Sequence, residues 1–298
     1  MFLFITGGTG FVGGHLMAEL ARRGIGGRCL LHSLKKAPRC SGFETVPGSL
    51  EDIPEGSMDG VDMVVHLVGI VAEEGASTFE SVHVRGTANL VNEALKAGVK
   101  RFFYQSSLGA SINSPSMYQK SKARAEEAVM ESGMHYTIFR PSLILGRGDG
   151  FSKQIVDSIN SYPVMAVPGT GEAKFQPLTI SDWVKCFLVM LEDGRYLDRV
   201  CEIGGPERFT FNELIMMYMQ AMGVKKRLIH VPTGIVKTGI SLLKLARAAG
   251  YKKFPPVSRD QITLLETDNI TDTDSIKKGF GFEPENVGDA LRGFLPSA

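Results

Sequence analysis

Cysteine is scarce in this chain: Cys29, Cys40, Cys186 and Cys201 are the only four among 298 residues, and no two are close. That spacing excludes a zinc ribbon and a CxxC redox pair and fits a reducing cytoplasm. A bias toward one sign of charge is also missing. The formal net charge is +1 with no block of like charge, so neither nucleic acid nor an acidic partner is indicated. No apolar run is long enough to span a bilayer. The apolar start, Met1–Ile5, has no basic residues before it and no cleavage site after it. It runs straight into glycines and reads as a strand, not a signal peptide. The chain is 43% hydrophobic and 22% charged. Such a length and composition suit one large domain or two moderate ones with ample core.

The first half alternates short apolar runs with helical patterns. Strands are expected at Phe2–Ile5, Arg28–Leu31, Phe43–Val46, Val61–Val68, Arg101–Gln105 and Tyr136–Phe139. Helices are expected at Phe11–Arg23, Thr78–Ala97 and Met117–Ser132. This alternation predicts an α/β fold: a Rossmann-type, doubly wound parallel sheet with helices on both faces. After Arg140-Pro141 the pattern changes. Pro163 and Pro168-Gly169-Thr170-Gly171 precede helical stretches at Ile180–Leu191, Asn212–Met222, Thr233–Ala249 and Ser258–Thr267. A dinucleotide-binding domain is therefore expected over 1–141, with a return segment near 175–193. Residues 142–298 are expected to form a smaller, mostly helical lobe for a substrate or partner.

Ile5-Thr6-Gly7 ends the first strand and Phe11 opens a helix. Between them the glycines fit two registers, Gly8-x-Gly10-x-x-Gly13 and Gly7-x-x-Gly10-x-x-Gly13. In both, glycine permits a tight turn and close backbone approach to a pyrophosphate. The free amides at the helix opening, Phe11 and Val12 included, stabilise its charge. After the second strand an NAD site usually carries an acid that bonds the ribose 2′-hydroxyl. Here the residues are His32, Ser33, Leu34, Lys35 and Lys36. Nothing there repels a 2′-phosphate and several groups could donate to it, so NADP(H) is favoured and NAD(H) remains open.

Further pieces follow in fixed order: His66-Leu67-Val68-Gly69, His83–Thr87, Phe102–Ala110, Tyr118-Gln119-Lys120-Ser121-Lys122, Arg140-Pro141 with Gly146, Phe175–Trp183 and Ile203–Leu214. With the glycine turn, they resemble the extended, atypical short-chain dehydrogenase/reductases of the NAD-dependent epimerase/dehydratase superfamily. The subgroup they resemble most contains the nucleotide-binding accessory subunit of respiratory complex I. The resemblance spans nearly the whole chain. It implies that Gly7, Gly10 and Gly13 bind pyrophosphate, that Ser49 and Leu50 lie beside adenine, and that Val68 and Gly69 lie beside the adenosine ribose. Ser106, Pro141 and Ile144 would approach the nicotinamide. Tyr118 and Lys122 would form a catalytic dyad, with Lys122 also on the nicotinamide ribose. Three positions depart from the family pattern: Ser49 replaces an acid, His83 an asparagine of the proton relay, and His32 an arginine.

A spacing of four on a helix puts Tyr118 and Lys122 on one face. A neighbouring ammonium would stabilise phenolate and lower the Tyr118 pKa. Tyr118 could then exchange a proton with a substrate oxygen, which Ser107 would hold. Other features read as structural. His66 looks like a satisfied core histidine, Asp182 a helix-terminus charge, and Met216, Met217, Met219 and Met222 a pliable core filler. The helix Thr233–Ala249, followed by Lys252-Lys253, is basic and amphipathic. It is expected to pack on the nucleotide domain, with contact to a membrane surface or a partner as the alternative. Two functions follow. One is an NAD(P)-dependent oxidoreductase or epimerase acting on a small carbonyl or secondary alcohol. The other is a non-catalytic nucleotide-binding protein, structural or redox-sensing, associated with a respiratory complex.

Overall fold

The computed structural model describes residues 1–33, 41–248 and 258–295. Lys35, Lys36, Cys40, Lys252 and Lys253 lie outside the described residues. The strands β1 (Phe2–Thr6), β2 (Gly26–Leu31), β3 (Phe43–Pro47), β4 (Met63–His66), β5 (Arg101–Gln105) and β6 (His135–Pro141) form one sheet with a seventh strand, Arg199–Ile203. Its order is Arg199–Ile203, β6, β5, β4, β1, β2, β3, and every pairing is parallel. This is the expected doubly wound α/β architecture. The order reverses direction between β1 and β4, and such a switch point opens a crevice at the carboxyl ends of the strands.

Period-two alternation sorts the strand residues onto two faces. Leu3, Ile5, Met63, Val65, Phe103 and Phe139 pack on one side with helices α1 (Phe11–Arg22) and, later in the chain, Ile180–Glu192. Phe4, Val64, Phe102, Tyr104 and Ile138 pack on the other with α2 (Gly86–Lys96) and α3 (Met117–Met130). A third core joins α4 (Gly150–Ser161) to Phe211–Ala221 and Val287–Phe294. Numbering onward, α5 is Ile180–Glu192, α6 Phe211–Ala221, α7 Thr233–Ala248 and α8 Arg259–Leu265.

Several elements differ from the sequence reading, among them short strands such as Met165–Pro168 and Leu228–Val231 and the helix Val287–Phe294, and three of the differences have a plain physical reason. Arg199–Ile203 pairs with β6 at the sheet edge, where most of its side chains are exposed or half-buried, so it carries no apolar run to signal a strand. Helix α4 has a largely polar sequence and buries only Ser152, Ile155 and Ile159. The stretch expected as one helix from Thr78 begins as a π-helical turn, Glu80–Arg85, and only then becomes α2. Asp182 is fully buried on α5, where Lys185 Nζ (3.1 Å) and the Glu285 amide (2.7 Å) bond its carboxylate, which fits a structural charge. Met219 and Met222 lie in the third core, while Met216 is exposed. Among the described residues no helix is long and apolar enough to cross a membrane.

Candidate active site

The glycines divide into two physical classes. Gly7 has φ +80°, and a Cβ there would come within 2.9 Å of the Leu67–Val68 backbone, at the exit of β4. A Cβ on Gly13 would meet the Gly7 carbonyl oxygen at 2.2 Å. One on Gly8 would strike the sulfurs of Met17 and Cys29. These three are demanded by the chain's own packing. Gly10 is different: a Cβ there finds only the Gly7 carbonyl, at 3.2 Å. The Gly10 amide donates to that same carbonyl (2.9 Å), closing the turn. The turn is thus built on Gly7, Gly10 and Gly13, and Gly10 is the one that leaves room for something other than protein. Helix α1 has no side-chain cap and no acid in its first turn, so its amides at Phe11 and Val12 stay available to an anion.

The other sequence-predicted residues surround the same end of the sheet. Val68 and Gly69 follow β4, the Val68 amide lying against Gly7 and Gly69 beside His83 and Lys122. Ser106 and Ser107 follow β5, and the Leu108 amide donates to the Pro141 carbonyl (2.9 Å) at the end of β6. Ile144 pairs with Leu178 just beyond. Buried and without hydrogen-bond partners are Gln105 Oε1, Ser106 Oγ and Ser107 Oγ. Orphaned polar atoms clustered at a strand end fit a polar ligand. The Ser49 hydroxyl accepts from the Glu51 (3.2 Å) and Asp52 (3.1 Å) amides and closes its own turn. Leu50 packs beside Gly86, and its carbonyl accepts from Asn89. His32 and Ser33 are exposed.

Tyr118 and Lys122 stand one turn apart on α3, but their electrostatics reverse the expectation. Burial pushes the Tyr118 phenol up; the nearby Ser107 hydroxyl acts against that, and the Asp260 carboxylate adds to it. Burial also pushes Lys122 down, to about 7, against the pull of Glu126. Its ammonium bonds the Gln105 carbonyl (2.5 Å) and lies 4.4 Å over the Tyr104 ring. A desolvated ammonium holds its proton weakly, so it does not stabilise a phenolate here. Lys122 also comes near Gly69, where an added Cβ would sit 3.7 Å from Nζ.

His83 is fully buried and its tautomer can be read from its neighbours. The Ile70 amide donates to Nε2 (2.9 Å), so Nε2 is the acceptor. Ser121 gives its hydroxyl proton to the Tyr118 carbonyl (2.7 Å), so it accepts from His83 Nδ1–H at 2.8 Å. Burial, aided by Lys122 and His66, holds the pKa down at about 2. Both nitrogens are committed, so His83 is a neutral strut between the β4 exit loop and α3. Its ring packs edge-on to Tyr118, 5.6 Å between centroids. His66 is likewise neutral, pushed down to about 3 by burial and Lys122, with Thr6 (2.6 Å) and Thr87 (3.0 Å) on its two nitrogens.

One residue of this site escaped the sequence reading. Asp260, on α8, accepts from Ser116 Oγ (2.8 Å) and from the amides of Met117 (2.7 Å) and Tyr118 (3.2 Å). It is 142 residues from Tyr118 in sequence, and no local spacing signals it.

Comparison with known proteins agrees with this geometry. Residues 3–204 match the NAD dependent epimerase/dehydratase family. The chain is 28% identical over 285 residues to the mitochondrial NADH dehydrogenase [ubiquinone] 1 alpha subcomplex subunit 9 of Arabidopsis thaliana, covering 91% of this chain and 70% of that protein. It is 23% identical over 320 aligned positions to the 3 beta-hydroxysteroid dehydrogenase/Delta 5→4-isomerase of Mycobacterium tuberculosis, covering 95% of this chain and 86% of that one. The dTDP-glucose 4,6-dehydratase DesIV of Streptomyces venezuelae, solved with NAD bound, superposes with a TM-score of 0.74 at 20% identity, over 99% of this chain and 95% of that one, a likeness of fold. Sheet order, glycine turn and family match converge: this chain belongs to the NAD dependent epimerase/dehydratase family.

Proposed function

We propose that this protein is an NAD(P)-dependent oxidoreductase that reduces a carbonyl group, or oxidises the matching secondary alcohol, at Tyr118, Ser107 and Lys122. The observation that carries this reading is the placing of Tyr118 and Lys122 one turn apart on α3, with the Lys122 ammonium on the Gln105 carbonyl (2.5 Å) at the strand end where the buried Ser106 and Ser107 hydroxyls have no hydrogen-bond partner. The nucleotide would lie along Gly10, Phe11 and Val12, past Val68 and Gly69, toward Ser106, Pro141 and Ile144, with Leu50 near the adenine. A reduced nicotinamide, when bound, supplies a hydride to the carbonyl carbon. Ser107 holds the carbonyl oxygen and Tyr118 gives it the phenolic proton. A phenol whose pKa is raised stays protonated, which suits donation and hence the reductive direction. Exposed His32 and Ser33 present no carboxylate to a 2′-phosphate, which supports a preference for NADP(H). Residues 142–298 would supply the substrate pocket. Cys186 and Cys201 are free thiols, in keeping with a reducing compartment such as the cytoplasm.

Mass spectrometry of nucleotide released from purified protein tests the cofactor. NAD(P)H oxidation against a panel of ketones, aldehydes and quinones tests the reaction; no turnover of any of them overturns it. A second reading has its own support: His83 offers no free nitrogen for a proton relay, Lys122 is turned onto a backbone carbonyl, and a relative at 28% identity is named as a complex I subunit. Under that reading the protein holds nucleotide without turnover beside a respiratory complex. Tyr118→Phe would then leave its cellular role intact.

A further inference from the structure

We propose that Asp260 is a positioning residue for Tyr118: it caps the helix that carries the phenol and makes the C-terminal lobe set where the phenol stands. The proposal rests on the catalytic reading of Tyr118.

An α-helix leaves its first amides without intrahelical partners. At the start of α3 these amides are satisfied, and two of them by one foreign carboxylate. Met117 N–H bonds Asp260 Oδ1, and Tyr118 N–H and the Ser116 hydroxyl bond Oδ2. Ser116 in turn accepts from the Gln119 amide through its hydroxyl (3.2 Å) and from the Lys120 amide through its carbonyl (3.0 Å). Tyr118 therefore sits in a turn whose amides are held from α8, not only from its own chain neighbours. The carboxylate also complements the positive end of the helix.

A second tie lies nine residues on. Asn269 donates to the Leu108 carbonyl (3.3 Å) and accepts from the Ser142 hydroxyl (2.6 Å) through its side-chain oxygen. Those residues follow Ser107 on the β5 loop and Pro141 on the β6 loop. The segment from Asp260 to Asn269 thus grips both sides of the site: the helix of the phenol and the loop of the serine that would hold the oxygen. The groups that face Tyr118 are Asp260 from α8, His83 from the π-helical turn, Lys122 from its own helix, and Ser107 and Tyr104 from β5 and its loop. Of these, His83 is held neutral by its burial.

The test is Asp260→Asn, whose amide keeps size but offers one acceptor oxygen in place of two and no charge. The expected result is a fall in kcat of roughly ten- to a hundred-fold, the scale on which a small misplacement of a reacting group is felt. KM for the nucleotide should be unchanged. In protein labelled with carbon-13 at the tyrosine ring carbon bearing oxygen, with Tyr118→Phe identifying the resonance, the Tyr118 titration should move down as a like charge is removed. Ser116→Ala keeps the carboxylate and both amide bonds; it should lower kcat less and leave the titration in place. The proposal is overturned if the Tyr118 titration in Asp260→Asn matches wild type, or if kcat falls only in proportion to the folded fraction measured by melting. If wild-type protein turns over no carbonyl compound, the catalytic reading fails separately, and the resonance still decides whether Asp260 governs the phenol.

Discussion

The two ends of the candidate site are built in opposite ways. The glycine turn is made by seven consecutive residues, Gly7 to Gly13, and its shape is set within them: Gly13 lies against the Gly7 carbonyl, while Gly7 and Gly8 also meet Leu67–Val68 and Cys29 from the neighbouring strands. The phenol end is assembled from five segments: β5 and its loop, the π-helical turn, α3, the β4 exit loop and α8. A local device tolerates changes elsewhere and fails sharply when its own residues change. An assembled device answers to substitutions far along the chain, and its charges take values that no single segment sets. The reversed electrostatics of Tyr118 and Lys122 illustrate this.

The largest contrast is expected within the turn itself. Gly13→Val places atoms into the Gly7 carbonyl and should prevent folding. Gly10→Val should fold and lose the nucleotide-dependent rise in melting temperature altogether. If Gly10→Val keeps the full rise, the turn is purely architectural.

At the other end, Tyr118→Phe should cut turnover by roughly 10²–10⁴-fold while melting temperature and nucleotide affinity barely change. Steady-state kinetics beside calorimetry checks this. A parallel loss of binding would mean that the ring, not the proton, matters.

The assembled end should also give itself away through pH. His66 and His83 are held neutral down to about 3 and about 2, whereas an unfolded histidine takes a proton near 6.5. Between those values the unfolded chain binds more protons than the folded one, so stability should fall as pH drops below about 6.5, the His66 share levelling off near 3 and the His83 share near 2. Denaturant unfolding across that range should show a shallower acid slope for His83→Gln than for wild type. An unchanged slope would remove His83 from the account.

The smallest effect concerns the edge of the nucleotide site. His32→Ala should weaken NADPH binding by about 1 kcal/mol and leave NADH binding nearly unchanged. Calorimetry with both nucleotides separates them, and equal losses would remove the 2′-phosphate contact.

Much of the fold could be read directly. The strands β1, β2, β4, β5 and β6 lie within two residues of their expected limits, because parallel strands inside a sheet are apolar on both faces; the edge strand β3 does so too, between Gly42 and Gly48. The edge strand Arg199–Ile203 and the polar helix α4 could not be, since an element that is mostly exposed needs no distinguishing pattern. In the site, Tyr118, Lys122 and Ser107 were legible as types and spacings, and His66 as a core residue. What the spacing could not give for Ser49 is that its hydroxyl closes a turn with the amides two and three residues ahead.

By itself the sequence determined what depends on neighbours along the chain: the βαβ alternation, the glycines of the turn, and a Tyr and Lys one helical turn apart. Only the tertiary structure decided what depends on desolvation and on distant partners. Burial makes Lys122 a weak cation and Tyr118 a reluctant acid. Two committed ring nitrogens turn His83 from a relay into a strut, and a carboxylate from α8 caps the helix of the phenol. Charge states and helix caps follow from which groups lose water together, and that is fixed only when the chain has closed around them.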